Sequence, residues 1–439
     1  MTIKKPTKKK PTNIADSLQH TGYLAVAKTR AKILKVFSLV VPMRKPVLLV
    51  GENACDELCD MLINEGSTNV FIVTDAVLNK LGVPEKVTNY LQEKNIRYQI
   101  YDGITPDPTS KVIEDGLQHS VDAGCDVVLA IGGGSVIDAA KMIAMCQGNN
   151  CKPKQLIGLF KARKPCLPLY CIPTTAGTGS EATIGAVVSD DETHQKSIVV
   201  DTKMIPLAAA IDPKIMQGMP PHITADTGID VLTHALESWM SVNASAETDY
   251  YAAAAVKAVM HYLPIAYKNG SDLKAREEMG IAAHYGGLAL NKAALGYVHA
   301  IAHQLGAYYG TPHGRANAIV LPYVLELNRK ASEKRLAILA KKTGVVKDSE
   351  TTEPTQHSDA ELADYFIAQV KSLIESIGIS PIVRDMQASD FDHMAKAAAK
   401  EVRDTYAVPA YMNGSDIKDI LMRIKIASEM ANHNNSVSD

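Results

Sequence analysis

Histidine is scarce in this chain, with 13 in 439 residues, yet His299, His303 and His313 fall together in YVHAIAHQLGAYYGTPHGR (297–315). No Asp, Glu, Lys or Arg occurs between Lys292 and Arg315, so a solvated stripe does not explain them. In a helix over 295–308, His299 and His303 are i and i+4 and share a face. Gly296, Ala302, Gly306 and Ala307 lie around that face while Ile301, Leu305 and Tyr308 sit opposite, which leaves room beside the imidazoles. A buried structural pair is the alternative. GIDVLTHALESW (228–239) adds Asp230 and His234 at the same spacing. Taken alone, that pair belongs to a polar stripe of Thr227, Asp230, His234, Glu237 and Ser241 opposite Leu232, Leu236 and Trp239, the pattern of an amphipathic surface helix. In combination, one carboxylate and three histidines on two helices and a turn can surround a divalent first-row metal, and Zn²⁺ and Fe²⁺ both suit that donor set.

A second chemistry lies upstream. AIGGGSVIDAAK (130–141) follows the apolar run DVVLA and opens a helical pattern. Successive glycines let the backbone approach a ligand, and the helix N-terminus beyond them offers free N–H groups to a phosphate. A tight turn without a ligand is the bland reading, and the usual GxGxxG spacing is absent. PTTAGTGSEAT (173–183) again sets hydroxyl and glycine residues after an apolar run, where open α/β sheets bind ligands. Asp75 closes NVFIVTD. A carboxylate there can accept from an adenosine ribose and would repel a 2′-phosphate, favouring NAD over NADP; alternatively it caps the next helix.

These residues need a scaffold in two parts. From about 46 to 217, short apolar runs (PVLLVG, NVFIVTD, IRYQIYDG, DVVLAIGGG, PLYCIPTT, KSIVVD, LAAAID) alternate with helical patterns, which predicts a largely parallel sheet covered by helices. Beyond GMPP (218–221) helical spacing or Ala-rich composition takes over, at 223–242, 246–263, 273–291, 297–310, 315–329, 359–378, 388–402 and 415–432. Pro220-Pro221 marks the boundary, giving an N-terminal extension (1–45), a cofactor domain (46–219) and a helical metal domain (220–439). The polar stretch 346–358 reads as a surface loop.

Composition excludes several classes. With 46% apolar residues, 21% charged and a net charge of -2, the chain has no field that attracts nucleic acid or an anionic membrane. KKPTKKKPT (4–12) reads as a solvated tail, with a nucleic-acid arm as the alternative. No apolar stretch approaches the ~18–20 residues that cross a bilayer. Seven cysteines, all in the first half and with no CxxC pair, argue against a disulfide framework or a structural zinc and fit a reducing cytoplasm.

GGGSVIDAAK, PTTAGTGSEAT, DPKIMQGMPP, TADTGIDVLTHALESW and HAIAHQLGAYYGTPHGRAN, in this order and spacing, resemble the iron-containing (group III) alcohol dehydrogenases of the dehydroquinate synthase-like superfamily. The resemblance runs over about 46–435. It implies an N-terminal Rossmann-like dinucleotide-binding α/β domain followed by an all-helical metal-binding domain, with the active site in the cleft between them. It implies Asp230, His234, His299 and His313 as metal ligands and His303 facing the nicotinamide. Gly132, Gly133, Gly134, Ser135 and Asp138 match the pyrophosphate turn, Thr174, Thr175 and Thr178 the second cofactor loop, and Asp75, Asp107 and Lys196 further cofactor positions. The implied activity is reversible oxidation of an alcohol to an aldehyde or ketone with NAD and Fe²⁺ (or Zn²⁺ or another divalent metal), by a cytoplasmic homodimer or higher homo-oligomer. A glycerol-dehydrogenase-like or dehydroquinate-synthase-like enzyme, a non-haem iron oxygenase, and a non-catalytic NAD- or metal-binding protein are the rival readings. The chain departs from the family near its C-terminus, where Val408-Pro409-Ala410 stands for Asn-Pro-Arg and Asp404 for a Cys, and this leaves the substrate open.

Overall fold

The computed structural model describes Thr29 and residues 43–192, 196–345 and 357–437; the lysine-rich tail and most of the 346–358 stretch lie outside these residues. All seven apolar runs form strands. A six-stranded, wholly parallel sheet has the order β1(Val47–Val50), β9(Ala208–Ile211), β6(Leu169–Pro173), β4(Val127–Gly132), β2(Asn69–Val73) and β3(Arg97–Tyr101). The central strands β2, β4, β6 and β9 are buried along their whole length, which explains their unbroken apolar runs. Alternate side chains feed two cores. Val70 and Ile72 pack under α1(Ala54–Asn64) and α3(Glu85–Glu93), and Phe71 and Val73 pack under α4(Ser110–Asp122) and α5(Gly134–Asn149). Between α1 and α3 lies the short α2(Ala76–Lys80).

KSIVVD behaves differently from its fellows. It forms β8(Lys196–Val200), which leaves the main sheet for a three-stranded one, parallel to β5(Gly158–Leu159) and antiparallel to β7(Gly185–Ser189). The chain order reverses between β2 and β4, and Gly132 of β4 lies opposite Pro173 of β6. Both glycine-rich loops therefore leave the sheet side by side at the C-terminal edge of its switch point, where open α/β sheets take ligands.

After the short helices α6(Pro153–Leu156) and α7(Pro213–Met216), the rest is helical: α8(Pro221–Met240), α9(Ala246–Lys268), α10(Leu273–Ala293), α11(Tyr297–Tyr309), α12(His313–Lys342), α13(Asp359–Ser376), α14(Phe391–Thr405) and α15(Gly414–Val437). Pro221 occupies the first helical position of α8, where a missing N–H costs nothing. Two expected ends are overrun: α9 continues through Pro264, and α12 runs from His313 past Pro322 to Lys342. The buried Leu321, Val324, Leu325, Leu336 and Leu339 of α12 supply packing that outweighs the lost hydrogen bond. The α8 stripe is corrected as well. Thr227 aside, its members are buried, because α9, α10 and α12 surround the helix on sides the wheel leaves open.

The loop after β6 meets the helical region by close backbone contact. Gly179, in the loop after β6, has φ +62°, and a Cβ there would collide with the Ala283 carbonyl of α10; a Cβ on Gly287 would lie 2.5 Å from the Gly179 carbonyl oxygen. Gly179→Ala is expected to lower stability by about 3 kcal/mol, through the left-handed backbone and the clash together. Urea or thermal unfolding measures it, and a loss under ~0.5 kcal/mol contradicts the account.

Candidate active site

A cleft of ≈ 350 Å³ runs between the C-terminal edge of the sheet and the helical region. Its sheet side begins at the β4–α5 turn. Gly133 is extended and precedes the first turn of α5, whose N-terminal residues Gly134 and Ser135 line the cleft. The second loop lies directly on this turn: a Cβ on Gly134 would be 2.5 Å from Thr178 Cγ2, and one on Gly133 3.3 Å from Thr175 Oγ1. Thr178 faces the cleft, while Thr174 is buried behind it and donates from its backbone N–H to the Gly132 carbonyl.

Asp138 sits one turn into α5. It accepts from Ser180 Oγ at 2.5 Å and from the Val187 N–H at 2.9 Å, so it ties the second loop and the small sheet to the glycine turn. Burial raises its pKa against the pull of Lys141. Lys141, fully buried and unremarked in the sequence, donates to Ser180 Oγ, Thr183 Oγ1 and the Gly185 carbonyl at 3.0, 2.8 and 2.7 Å; burial lowers its pKa and Asp138 opposes the shift. At the cleft mouth Lys196 and Asp107, 89 residues apart in sequence, form a 2.7 Å ion pair. Asp75 lies beyond the cleft-lining residues. Its Oδ1 accepts from the Val77 and Leu78 N–H groups, both at 2.9 Å, as the N-cap of α2.

The helical side brings the four expected ligand residues together. Asp230 Oδ1 is 3.7 Å from His234 Nε2, 3.5 Å from His299 Nε2 and 3.5 Å from His313 Nε2. Donors bound at ~2.1 Å around one tetrahedral ion stand ~3.4 Å apart; Asp230, His299 and His313 offer donor atoms all within 4.8 Å of one another, and His234 Nε2 stands 3.7 Å from Asp230 Oδ1 outside that group. Asn317, one turn along α12 from His313, aims its Nδ2 at the same point: it lies 2.8 Å from Asp230 Oδ1, 3.2 Å from His299 Nε2 and 3.3 Å from His313 Nε2. Two N–H hydrogens cannot serve three acceptors, while the buried Asn317 Oδ1 has no partner among the described residues. A point ringed by more lone pairs than hydrogens suits a cation, and the residues present fit one.

Charge divides the three rings of the cluster, leaving two neutral and one holding a proton that a bound cation must displace. Burial would raise the Asp230 carboxyl, but the imidazoles of His234, His313 and His299 hold it well below the usual carboxylate range. Burial pushes His234 down to about 4 and His313 down to about 3, against the pull of Asp230, so both rings are neutral donors at pH 7. His299 moves the other way: despite burial, Glu237 and Asp230 raise it to about 9. Glu237 accepts from His299 Nδ1 at 2.7 Å, from the Gly296 N–H at 2.8 Å and from the Val298 N–H at 2.6 Å. One carboxylate thus caps α11 and turns His299 Nε2 toward Asp230.

His303 shares the cleft but keeps a separate partner. Its Nδ1 lies 2.8 Å from Glu401 Oε1, and its ring is 5.4 Å from that of His313. Sequence reasoning missed Glu401, Asn317 and Lys141. Of the departing C-terminal segment, Thr405 and Tyr406 face the cleft, whereas Val408 and Pro409 pack near Glu237 and Gly296.

A glycine turn at the switch point of a parallel sheet faces a carboxylate–imidazole cluster across one cleft, the arrangement of a two-part site in which a loop suited to phosphate meets donors suited to a cation. Residues 46–213 match the model of iron-containing alcohol dehydrogenase, and residues 224–425 match that of the C-terminal part of the Fe-containing alcohol dehydrogenase family. The chain belongs to that family and is a metal-dependent alcohol/aldehyde oxidoreductase. It is 36% identical over 385 residues to alcohol dehydrogenase 4 of Schizosaccharomyces pombe, covering 87% of each chain. It is also 36% identical over 356 residues to lactaldehyde reductase of Escherichia coli (strain K12), covering 80% of this chain and 91% of that one. A solved 1,3-propanediol oxidoreductase superposes with TM-score 0.82 at 34% identity, over 88% of this chain and 100% of its own. Sulfoacetaldehyde reductase of Bifidobacterium kashiwanohense, solved with NAD⁺, superposes with TM-score 0.78 at 25% identity, over 88% and 98%.

Removing the Glu237 clamp orphans two buried backbone N–H groups and the His299 Nδ1–H. Glu237→Ala is expected to cost about 3–5 kcal/mol of stability, while Glu237→Gln, which keeps an acceptor oxygen, loses less than half as much. Denaturant titration measures both, and equal losses contradict the clamp.

Proposed function

We propose that this chain is an NAD-dependent alcohol dehydrogenase that interconverts a small-molecule alcohol with its aldehyde or ketone and holds its catalytic cation on Asp230, His234, His299 and His313. The carrying observation is the convergence of three imidazole Nε2 atoms on Asp230 Oδ1 at 3.5–3.7 Å. Fe²⁺ is the cation the family favours, and Zn²⁺ or another divalent metal suits the same donors. When bound, the cation supplies Lewis acidity to the alcohol oxygen, and the nicotinamide exchanges hydride with the adjacent carbon.

The division of labour follows the two halves, residues 46–219 for the cofactor and 220–439 for the metal. Gly132, Gly133, Gly134 and Ser135 with the α5 N-terminus hold the pyrophosphate, and Thr174, Thr175 and Thr178 form the loop packed against it. Asp138 fixes that arrangement from below, while Asp107, Lys196 and Asp75 flank the rest of the nucleotide. His303 holds and moves the proton. Ile184, Leu290 and Leu295 exclude water from the reacting end. Lys196 is the sole Lys or Arg among the described cleft-lining residues and is paired with Asp107, so a phosphate-bearing substrate, as in a dehydroquinate-synthase-like reaction, finds no unpaired Lys or Arg. The cysteines, unpaired in the structure, suit a reducing cytoplasm, and homo-oligomerisation follows the family resemblance.

His234→Ala and His313→Ala are expected to lose most of their bound metal in elemental analysis; full stoichiometry in both removes the assignment. Asp75 is expected to enforce NAD over NADP. Its cap uses Oδ1 for both bonds, so Asp75→Asn keeps the cap, removes the charge and raises kcat/KM for NADP relative to NAD. A parent enzyme that uses both cofactors equally excludes this role.

A further inference from the structure

Glu401 is a half-buried carboxylate that the chemistry described so far does not use. It stands on α14, which packs on α11 and α15 and buries Phe391, Met394, Ala395, Ala398 and Val402. Its Oε1 accepts from His303 Nδ1 at 2.8 Å and from the Tyr406 hydroxyl at 2.7 Å, and its side chain is 21% exposed. We propose that Glu401, steadied by Tyr406, is the positioning residue that fixes His303 as its Nδ1–H tautomer and turns the unprotonated Nε2 into the cleft. This rests on the reading of His303 as the proton-handling group.

The geometry carries the argument. The two nitrogens of an imidazole point to opposite sides of the ring, so anchoring Nδ1 on α14 directs Nε2 away from it. On that side His303 lines the cleft, its ring nearly parallel to that of His313 at 20°. The contrast with His299 is informative. Both imidazoles donate Nδ1–H to a carboxylate, Glu237 at 2.7 Å and Glu401 at 2.8 Å, but His299 turns Nε2 onto Asp230 at 3.5 Å, in the group Asp230, His299 and His313 whose donor atoms all lie within 4.8 Å of one another, and neither His303 nor His234 is a member of that group. The same device thus orients one histidine as a ligand and its i+4 neighbour as a base.

Charge agrees with the geometry. Burial would raise the Glu401 carboxyl, yet the His303 hydrogen bond brings it below the ordinary value, so it is ionised at pH 7. Burial and the Glu401 charge keep Tyr406 a phenol, and thus a donor. In the oxidation direction the hydroxyl proton of the substrate passes to His303 Nε2 and on to water, while hydride leaves the carbinol carbon for the nicotinamide. Glu401 takes no proton and stabilises the imidazolium.

A double-mutant cycle on the metal-loaded enzyme tests this. Glu401→Gln is expected to lower kcat ~10–100-fold with metal content unchanged, and His303→Phe at least as much. In the His303→Phe background Glu401→Gln should add less than twofold, because its route is already gone. Tyr406→Phe should lower kcat severalfold and lose that effect in the Glu401→Gln background, which keeps the test open if Glu401→Gln folds poorly. Independent multiplicative effects, or a fully active Glu401→Gln beside an impaired His303→Phe, overturn the proposal. If His303→Phe itself keeps full rate, the reading of His303 fails first and Glu401 falls with it. In ¹⁵N-histidine-labelled protein the resting His303 ring must be protonated at Nδ1; a proton on Nε2 instead overturns the proposal without any assay of turnover.

Discussion

A carboxylate that is 2% exposed and ringed by three imidazoles is tolerable only where positive charge or a full set of donors meets it. Asp230 imposes that condition on the structure around it. The helix that carries it is buried from Thr224 to Met240 except for Thr227, and partner residues come from α11 and α12. Close approach of these helices depends on small residues. A Cβ on Gly314 would run into the Asp226 carbonyl, and one on Gly296 would stand 2.8 Å from Glu237 Oε1. Asn317 and Glu237 complete the arrangement, the first from inside the cluster and the second from behind His299. Glu237 is satisfied by His299 and two backbone N–H groups, whereas the amide of Asn317 meets Asp230 with Nδ2 and leaves Oδ1 without a partner among the described residues.

The second constraint is the distance between that cluster and the glycine-rich loops, to which backbone contact contributes. The Gly179–Ala283–Gly287 approach fixes the second loop on α10. Asn291 of the same helix accepts from the Ile184 N–H at 3.0 Å and donates to the Ala182 carbonyl at 2.8 Å. Lys141 and Asp138 then tie the loop to α5 from inside the sheet domain. Hydride transfer tolerates little slack between donor and acceptor carbons, and a seam made of main-chain contacts and short polar side chains has few soft torsions. The two halves therefore share one cleft, with α10 joined to the second loop along its wall.

Much of this was legible in the sequence because it is written at short range. The i,i+4 pairs Asp230/His234 and His299/His303 and the apolar-run-to-glycine turn at 130–135 are patterns one helix or one turn long, and the structure places them as expected. Long-range relations were invisible. Glu401 lies 98 residues from His303 and Lys141 sits within a helical pattern that says nothing of what covers it. The α8 stripe misled for the same reason, since a wheel shows polarity but not the three helices that bury it. The expected helix ends at 263 and 329 fall short, because local propensity cannot weigh the tertiary packing that carries α9 through Pro264 and α12 on to Lys342. At Asp75 both functions predicted from its position invoke the same carboxylate, and only the capping bonds are made within the protein itself.

One feature of the cleft wall ties local strain to selectivity. Ala294, between α10 and α11, has φ 63° and ψ -176°, a region that glycine occupies readily and alanine does not. Its neighbours hold it there: its N–H is bonded to the Leu290 carbonyl, and the preceding carbonyl, of Ala293, accepts from Ser241 Oγ at 2.6 Å. The sharp reversal puts Ala294 and Leu295 on the cleft while leaving Gly296 behind them to reach Glu237. A relaxed connection would give up either the wall or the clamp on His299. The departing segment meets the same junction from the other side, with Val408 and Pro409 beside Gly296 and Tyr406 on the cleft. Substitutions there reach the cleft wall through Tyr406 and Leu295 and the Glu237 clamp on His299 through Gly296, so the shape of the cleft and the orientation of His299 meet at the α10–α11 junction.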